Sequence, residues 1–252
     1  MVAIIARMSG HSHWATIKHK KGTADARRGK LWSKLCRAIQ IAAKEGGGNP
    51  DMNLKLANAI LDARAESVPN DNITRSIKRG TGELEGISYE QVTYEGYGPG
   101  GVAFMIDALT DNKNRSAAEM RKMFENSNGN LAGAGAVRFM FQPKGVVVIP
   151  VAAAGEDQMM NDVLDSGAEN MDTAGDNYYI TCAVPDFENV KKALAKKYKI
   201  TSTEISMLPK DIVKVDEETG RKILNLMENL DDSEDVQKIY HNFVLPESLL
   251  GK

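Results

Sequence analysis

The chain has 252 residues, 42% hydrophobic and 26% charged, with 6% aromatic and 12 methionines; this excludes a disordered chain and argues for two or three domains with aliphatic cores. Its two cysteines, Cys36 and Cys182, lie too far apart in sequence to frame a secreted disulfide scaffold, which favours a reducing compartment. The net charge of −2 is a sum of unlike parts: residues 1–80 carry 15 Lys/Arg against 6 Asp/Glu (+9), and the remainder carries 17 against 28 (−11). Such asymmetry points to an anionic partner for the first third.

The opening segment Met1–Arg7 has too short an apolar run for a signal-peptide core or a membrane span, and Met8 offers a second start. A cytoplasmic address is expected. From Thr23 to Lys44, Leu31, Leu35, Ala38, Ile39 and Ala42 recur at helical spacing, and Gly46–Gly48 stops the run. Asn49-Pro50-Asp51 reads as N-cap, N1 proline and acidic first turn of a second helix through Leu54, Ala57 and Leu61. A third is expected from Asn70 to Arg79, with Gly80 as its stop.

Beyond Gly82 the period changes. Gln91–Tyr97 and Gly101–Leu109 form a predicted hairpin about Gly98-Pro99-Gly100, with Val102, Phe104, Ile106 and Ala108 on one face. Ser116 and Glu119 suggest a capping box for a helix carrying Ala117, Met120 and Phe124; Val137, Phe139 and Phe141 then alternate as a strand. From Gly145 the expected order is β-α-β-β-α-β, a ferredoxin-like unit. After it come strand Ile212–Val215, helix Glu217–Asn229, a short helix or turn at Ser233–Lys238, and a last strand at Asn242–Leu245. The expected fold is therefore α+β and multidomain: a three-helix bundle (1–82), an α+β domain (83–143 plus 210–252), and a ferredoxin-like domain (144–209) inserted into it. The acidic residues of 216–235 read as a solvated helix face.

Chemistry concentrates at the basic end. Arg27, Lys30, Lys34 and Arg37 are spaced 3, 4 and 3, a cationic ridge turned away from the Leu31/Leu35 face, with no acid between Asp25 and Glu45. Unrelieved like charges cost a helix about 0.2–0.5 kcal/mol per pair. The ridge is better explained if a polyanion neutralises it. The preceding arm supplies Lys18, Lys20 and Lys21, and the third helix adds Arg75, Lys78 and Arg79. Trp14 is suited either to stack on a base or to act as a hydrophobic staple; Trp32 reads as core.

Other motifs fail. Gly96-Tyr-Gly-Pro-Gly-Gly101 matches a dinucleotide fingerprint in letters, yet a strand follows it and Pro99 lacks an amide donor. His11, His13 and His19 have no Cys or carboxylate partners at metal-ligand spacing, and neither cysteine belongs to a triad. The expectations are a non-enzymatic chain with no metal, no cofactor, no membrane and no small-molecule substrate.

The stretches Gly10-His-Ser-His-Trp-Ala-Thr-Ile-Lys-His-Lys-Lys21, Asp25-Ala-Arg27-Arg28-Gly-Lys30, Ile73-Thr-Arg-Ser-Ile-Lys-Arg-Gly-Thr-Gly-Glu83, Tyr94–Ala103, Leu109–Arg115 and Gly129-Asn-Leu131 resemble the YebC/PmpR family, and the resemblance covers nearly the whole chain. His13 and Trp32 depart from the lysine and phenylalanine common there. The resemblance implies three domains and a cytoplasmic transcriptional regulator binding DNA through the helical domain, with Arg28 joining the basic residues above. A mitochondrial branch acts in translation, so a ribosome-associated factor binding ribosomal RNA through the same surface is the alternative. The Gly96–Gly101 turn and the Thr110–Arg115 loop would then be extra contacts.

Overall fold

The computed structural model describes residues 24–249, with the side chains of 24–27 and 247 excepted. Three helices come first: α1 (Ala24–Gly46), α2 (Leu54–Ala65) and α3 (Asn70–Thr81). Ile39, Ala43, Leu56, Ile60 and Ile73 form their core, with Trp32 and Leu35 packed at its margin. The cap of α2 differs from expectation. Asn53, not Asn49, takes the N-cap: its Oδ1 accepts from the Leu56 amide at 3.1 Å, and its Nδ2 donates to the Ala42 and Gly47 carbonyls, both at 2.8 Å. One buried amide thus closes the end of α1 and the start of α2 together, which Asn49, out on the turn, cannot do. Gly80 does not stop α3 but lies within it, because a Cβ there would sit 2.3 Å from the Gln40 carbonyl oxygen; the glycine lets α3 press against α1. The left-handed residue that ends α3 is Gly82, at φ 83°.

The first sheet has four strands, in the order β3 (Asn130–Ala132), β1 (Glu90–Tyr97), β2 (Ala103–Thr110) and β9 (Val236–His241). Its hairpin pairs β1 with β2, as the turn chemistry predicts, and β3 flanks β1. Helices α4 (Lys113–Asn126) and α7 (Glu217–Asp232) cover one face, burying Phe104, Ile106, Met120, Phe124, Leu226 and Leu230. The capping box does not form: Asn112 caps α4 by accepting from the Arg115 amide at 3.1 Å, leaving Ser116 buried a turn inside.

Residues expected as a short helix or turn at 233–238 instead enter β9 (Val236–His241), which pairs antiparallel with β2. The register shifts between Asp107 and Ala108, so that Lys238 and Val236 face adjacent β2 residues and Gln237 bulges. The bulge turns Val236 and Ile239, three apart, into the same core, a spacing that imitates a helix.

The second sheet, β5-β6-β4-β7, is antiparallel throughout: β4 (Phe141–Pro150), β5 (Asn170–Ala174), β6 (Asn177–Cys182) and β7 (Ser202–Pro209). Helices α5 (Glu156–Asp165) and α6 (Phe187–Ala195) close its core through Met159, Val163, Val190 and Leu194. A short parallel pair, β8 (Val213–Lys214) with β10 (Phe243–Val244), follows. Ala103, Met105, Val137, Phe141 and Tyr240 pack together, so β2 is buried on both faces. The expected strand through Val137, Phe139 and Phe141 is broken by a 3-10 turn at Arg138–Met140: Val137 and Phe141 stay buried, whereas Phe139 turns outward.

Candidate nucleic-acid interface

The predicted basic residues divide into three groups. Lys18, Lys20 and Lys21, with Trp14 and the three neighbouring histidines, lie outside the described residues, as does the side chain of Arg27. Of the rest, Lys34 and Arg37 are not solvent-facing: their side chains are 13% and 14% exposed. Lys34 points at the last turn of α7 and Arg37 into the segment that links α7 to β9. Arg37 donates to Asp235 Oδ1 at 2.7 Å, to Glu234 Oε2 at 2.8 Å and to the Glu234 carbonyl at 2.9 Å, while its guanidinium stands 4.9 Å from the centroid of Tyr89. Lys34 Nζ donates to the Asp231 carbonyl at 2.7 Å and lies 3.9 Å from its carboxylate; Lys30 Nζ is 3.5 Å from Asp232.

This corrects two expectations. Three of the four ridge residues, Lys30, Lys34 and Arg37, are relieved by the chain's own carboxylates, about 200 residues away in sequence, and the acidic run is not only a solvated face but, at its end, a seam that holds α1. The near-equal and opposite charges of the two parts of the chain were the available sequence signal for this pairing. Asp235 is 6% exposed and shared: Arg115 Nη2, which pairs with Asp111 at 2.6 Å, also stands 3.6 Å from Asp235 Oδ2. Lys113, the other cation of that loop, pairs with Glu90 at 2.6 Å.

A cavity of about 700 Å³ opens along the seam, between Tyr89, α4 and the end of α7. Its wall carries Arg37, Arg115 and Lys122 against Asp111, Glu119, Asp232, Glu234 and Asp235, an acidic balance that offers a phosphate no seat. The exposed cations of the predicted set lie elsewhere. On α3, Ile73, Ser76 and Ile77 face inward, and Arg75, Lys78 and Arg79 project to solvent together, with no acidic partner among the described residues. Arg28 is exposed on α1, its guanidinium 5.6 Å from the centroid of Trp32, whose Nε1 donates to the Glu66 carbonyl at 3.0 Å. Lys30 is half exposed beside it.

Sequence reasoning missed the loop 133–140. The Glu95 carboxylate, buried under it, accepts from the amides of Gly135 and Val137 at 2.7 Å and of Arg138 at 2.8 Å. Burial alone would raise this carboxyl, but the three amides and the Arg138 charge outweigh it and hold it below the usual glutamate range. Tyr97 Oη fixes the same loop by donating to the Ala136 carbonyl at 2.9 Å. No group of three or more His, Cys, Asp or Glu among the described residues is placed to hold a metal ion, and no described helix is long and apolar enough to cross a membrane.

Comparison with known proteins gives concordant matches along the chain. Residues 12–83 match the family described as TACO1/YebC protein N-terminal domain, and residues 89–243 match the TACO1/YebC second and third domain. Proteins named "Probable transcriptional regulatory protein" are similar over 96–97% of this chain: 49% identical from Dictyoglomus turgidum (98% of that protein), 48% from Treponema pallidum (100%) and 46% from Syntrophobacter fumaroxidans (99%). The crystal structure of a conserved hypothetical protein from Aquifex aeolicus superposes with a TM-score of 0.83 at 41% identity, covering 95% of this chain and 100% of that one.

Proposed function

The chain belongs to the TACO1/YebC family, and from that premise we propose that it is a non-enzymatic, cytoplasmic regulator of gene expression that binds nucleic acid through its helical first third. The observation that carries this reading is the outward face of α3, where Arg75, Lys78 and Arg79 stand together without an acidic partner among the described residues. Arg28 and Lys30 on α1 extend the same chemistry, and the arm Lys18/Lys20/Lys21 belongs to it by sequence. Lys34 and Arg37 act as the fastening of this unit to the acidic seam, and reach a polyanion only if Asp231–Asp235 gives way. The reading takes the chain as three units, 1–82, 83–143 with 210–252, and 144–209. Contacts of this kind go to phosphate and fix position without reading sequence.

Duplex DNA is the target put first, because the relatives carry the name of transcriptional regulators. The test reverses Arg75, Lys78 and Arg79 to Glu and follows promoter-length duplex binding by gel shift beside ribosome co-sedimentation, over one salt series. Binding should weaken alike for all sequences, and the salt slope should fall by about 0.9 for each phosphate that is no longer neutralised. Unchanged affinity for both targets would sink the interface. Saturable ribosome binding at salt that abolishes duplex binding would transfer the function to translation.

A further inference from the structure

Phe139 stands apart from the chain's other phenylalanines. There are six: Phe104, Phe124, Phe141, Phe187 and Phe243 are buried, while Phe139 is 65% exposed. The exposure is built in. Within the turn, Ala136, Val137, Met140 and Phe141 all pack against the shared core with Met105 and Tyr240, so only Arg138 and Phe139 are left facing out. The Glu95 carboxylate and the Tyr97 hydroxyl clamp the backbone of the turn at Gly135–Arg138 through four hydrogen bonds, which fixes the direction in which the chain presents Phe139. The preceding segment is small and open as well: Ala134 is exposed, and a Cβ at Gly133 or Gly135 would meet nothing within 4 Å.

We propose that Phe139 is a preorganised stacking platform for one unpaired nucleobase, with Arg138 beside it to receive the adjoining phosphate. A single exposed ring is too little surface for a protein partner, whose stable interfaces bury about 800 Å² per side. A single base covers it. The base supplies a π-face to the ring, and its backbone supplies the negative charge that an exposed guanidinium selects. Duplex bases, already stacked on one another, are not available to the ring, so the site discriminates single-stranded from paired nucleic acid. The inference rests on the nucleic-acid reading above but uses a separate surface, in the stretch that joins the two sheets.

Fluorescence anisotropy with a labelled 12-nucleotide single-stranded RNA, and with the same sequence as a duplex, provides the test. Phe139→Ala should weaken single-strand binding about 5- to 150-fold, the 1–3 kcal/mol that one stacked base is worth, and leave duplex binding within twofold. Phe139→Trp should retain binding, and its indole emission should be quenched by the single strand. Thermal unfolding of Phe139→Ala should match the parent, since the ring lies mostly in solvent. Unchanged single-strand affinity in Phe139→Ala, while the α3 charge reversal still weakens it, overturns the platform and spares the proposed function. Equal losses on single strand and duplex also overturn it. A parent chain that binds no nucleic acid overturns both.

Discussion

Replacing Arg37 with Met should loosen the seam between α1 and the end of α7, and the surrounding partners set the size of the effect. The substitution keeps most of the aliphatic stem but removes two carboxylate partners and the donation to the Glu234 carbonyl. Among the described residues, Asp235, 6% exposed, would then keep Arg115 as its one cationic partner, 3.6 Å from its Oδ2. Breaking a buried pair costs about 3–5 kcal/mol, and the surviving arginine puts the expectation near the lower end, about 3 kcal/mol. The half-exposed Lys30–Asp232 pair, with side chains 43% and 72% exposed, is the internal control at about 0–1 kcal/mol. The assay is a double-mutant cycle, Arg37→Met with Asp235→Asn beside Lys30→Met with Asp232→Asn, by urea unfolding. A Trp14→Phe background leaves Trp32 on α1 as the only tryptophan. Raising salt should erase the control coupling and spare most of the buried one. A coupling of Arg37 with Asp235 below about 0.5 kcal/mol, or no larger than the control, would refute the seam as a structural fastening.

Glu95→Gln should cost about 1–3 kcal/mol at pH 7, because an amide nitrogen replaces one of the two oxygens that satisfy buried N–H groups. The parent's carboxyl lies below its unfolded value, so its contribution is present above about pH 4.3 and fades as the pH falls through the folded value; Glu95→Gln should lack that acid limb in a pH series of urea midpoints. Gly80→Ala should lower stability by about 1–3 kcal/mol in thermal unfolding, since its Cβ would lie 2.3 Å from the Gln40 carbonyl oxygen; an unchanged melting temperature would contradict the close approach of α3 to α1. Cys182, buried and with its thiol pushed up by that burial, should resist a thiol reagent until the chain unfolds, whereas half-buried Cys36 should react first. Equal rates for the two thiols would contradict the packing.

What the sequence made legible follows a physical division. Periodicity located α1 and α3 to within two residues at each end, and alternation placed Val102, Phe104, Ile106 and Ala108 on one buried face, because each face meets a single core. Where local geometry departs from a regular period, the same reasoning fails. The bulge at Gln237 gives β9 a helical spacing, and the turn at Arg138 puts Phe139 on the opposite side from Val137 and Phe141. The basic ridge was legible as a charge problem, but not its solution: Lys34 and Arg37 meet carboxylates that neither spacing nor helix geometry connects to them. Of the candidate site, the exposed α3 cations follow from helix phase, and the loop over Glu95 does not, since its order comes from one buried carboxylate far away in sequence.

The seam also has a timetable. Residues that close it are separated by 197 positions, with α1 near one end of the chain and its carboxylates near the other. At roughly 5–20 residues per second, synthesis leaves the ridge of α1 without those carboxylates for about 10–40 s, beside the ribosome that is making it. Through that interval Lys30, Lys34 and Arg37 lack the carboxylates that pair with them in the finished chain. A released chain truncated before Asp231 should need more salt than the full chain to be stripped from ribosomal RNA; equal salt for the two would mean that the ridge is shielded without its acids. For a chain read as a nucleic-acid binder, the acidic turn at the end of α7 decides when Lys34 and Arg37 are withdrawn from that surface.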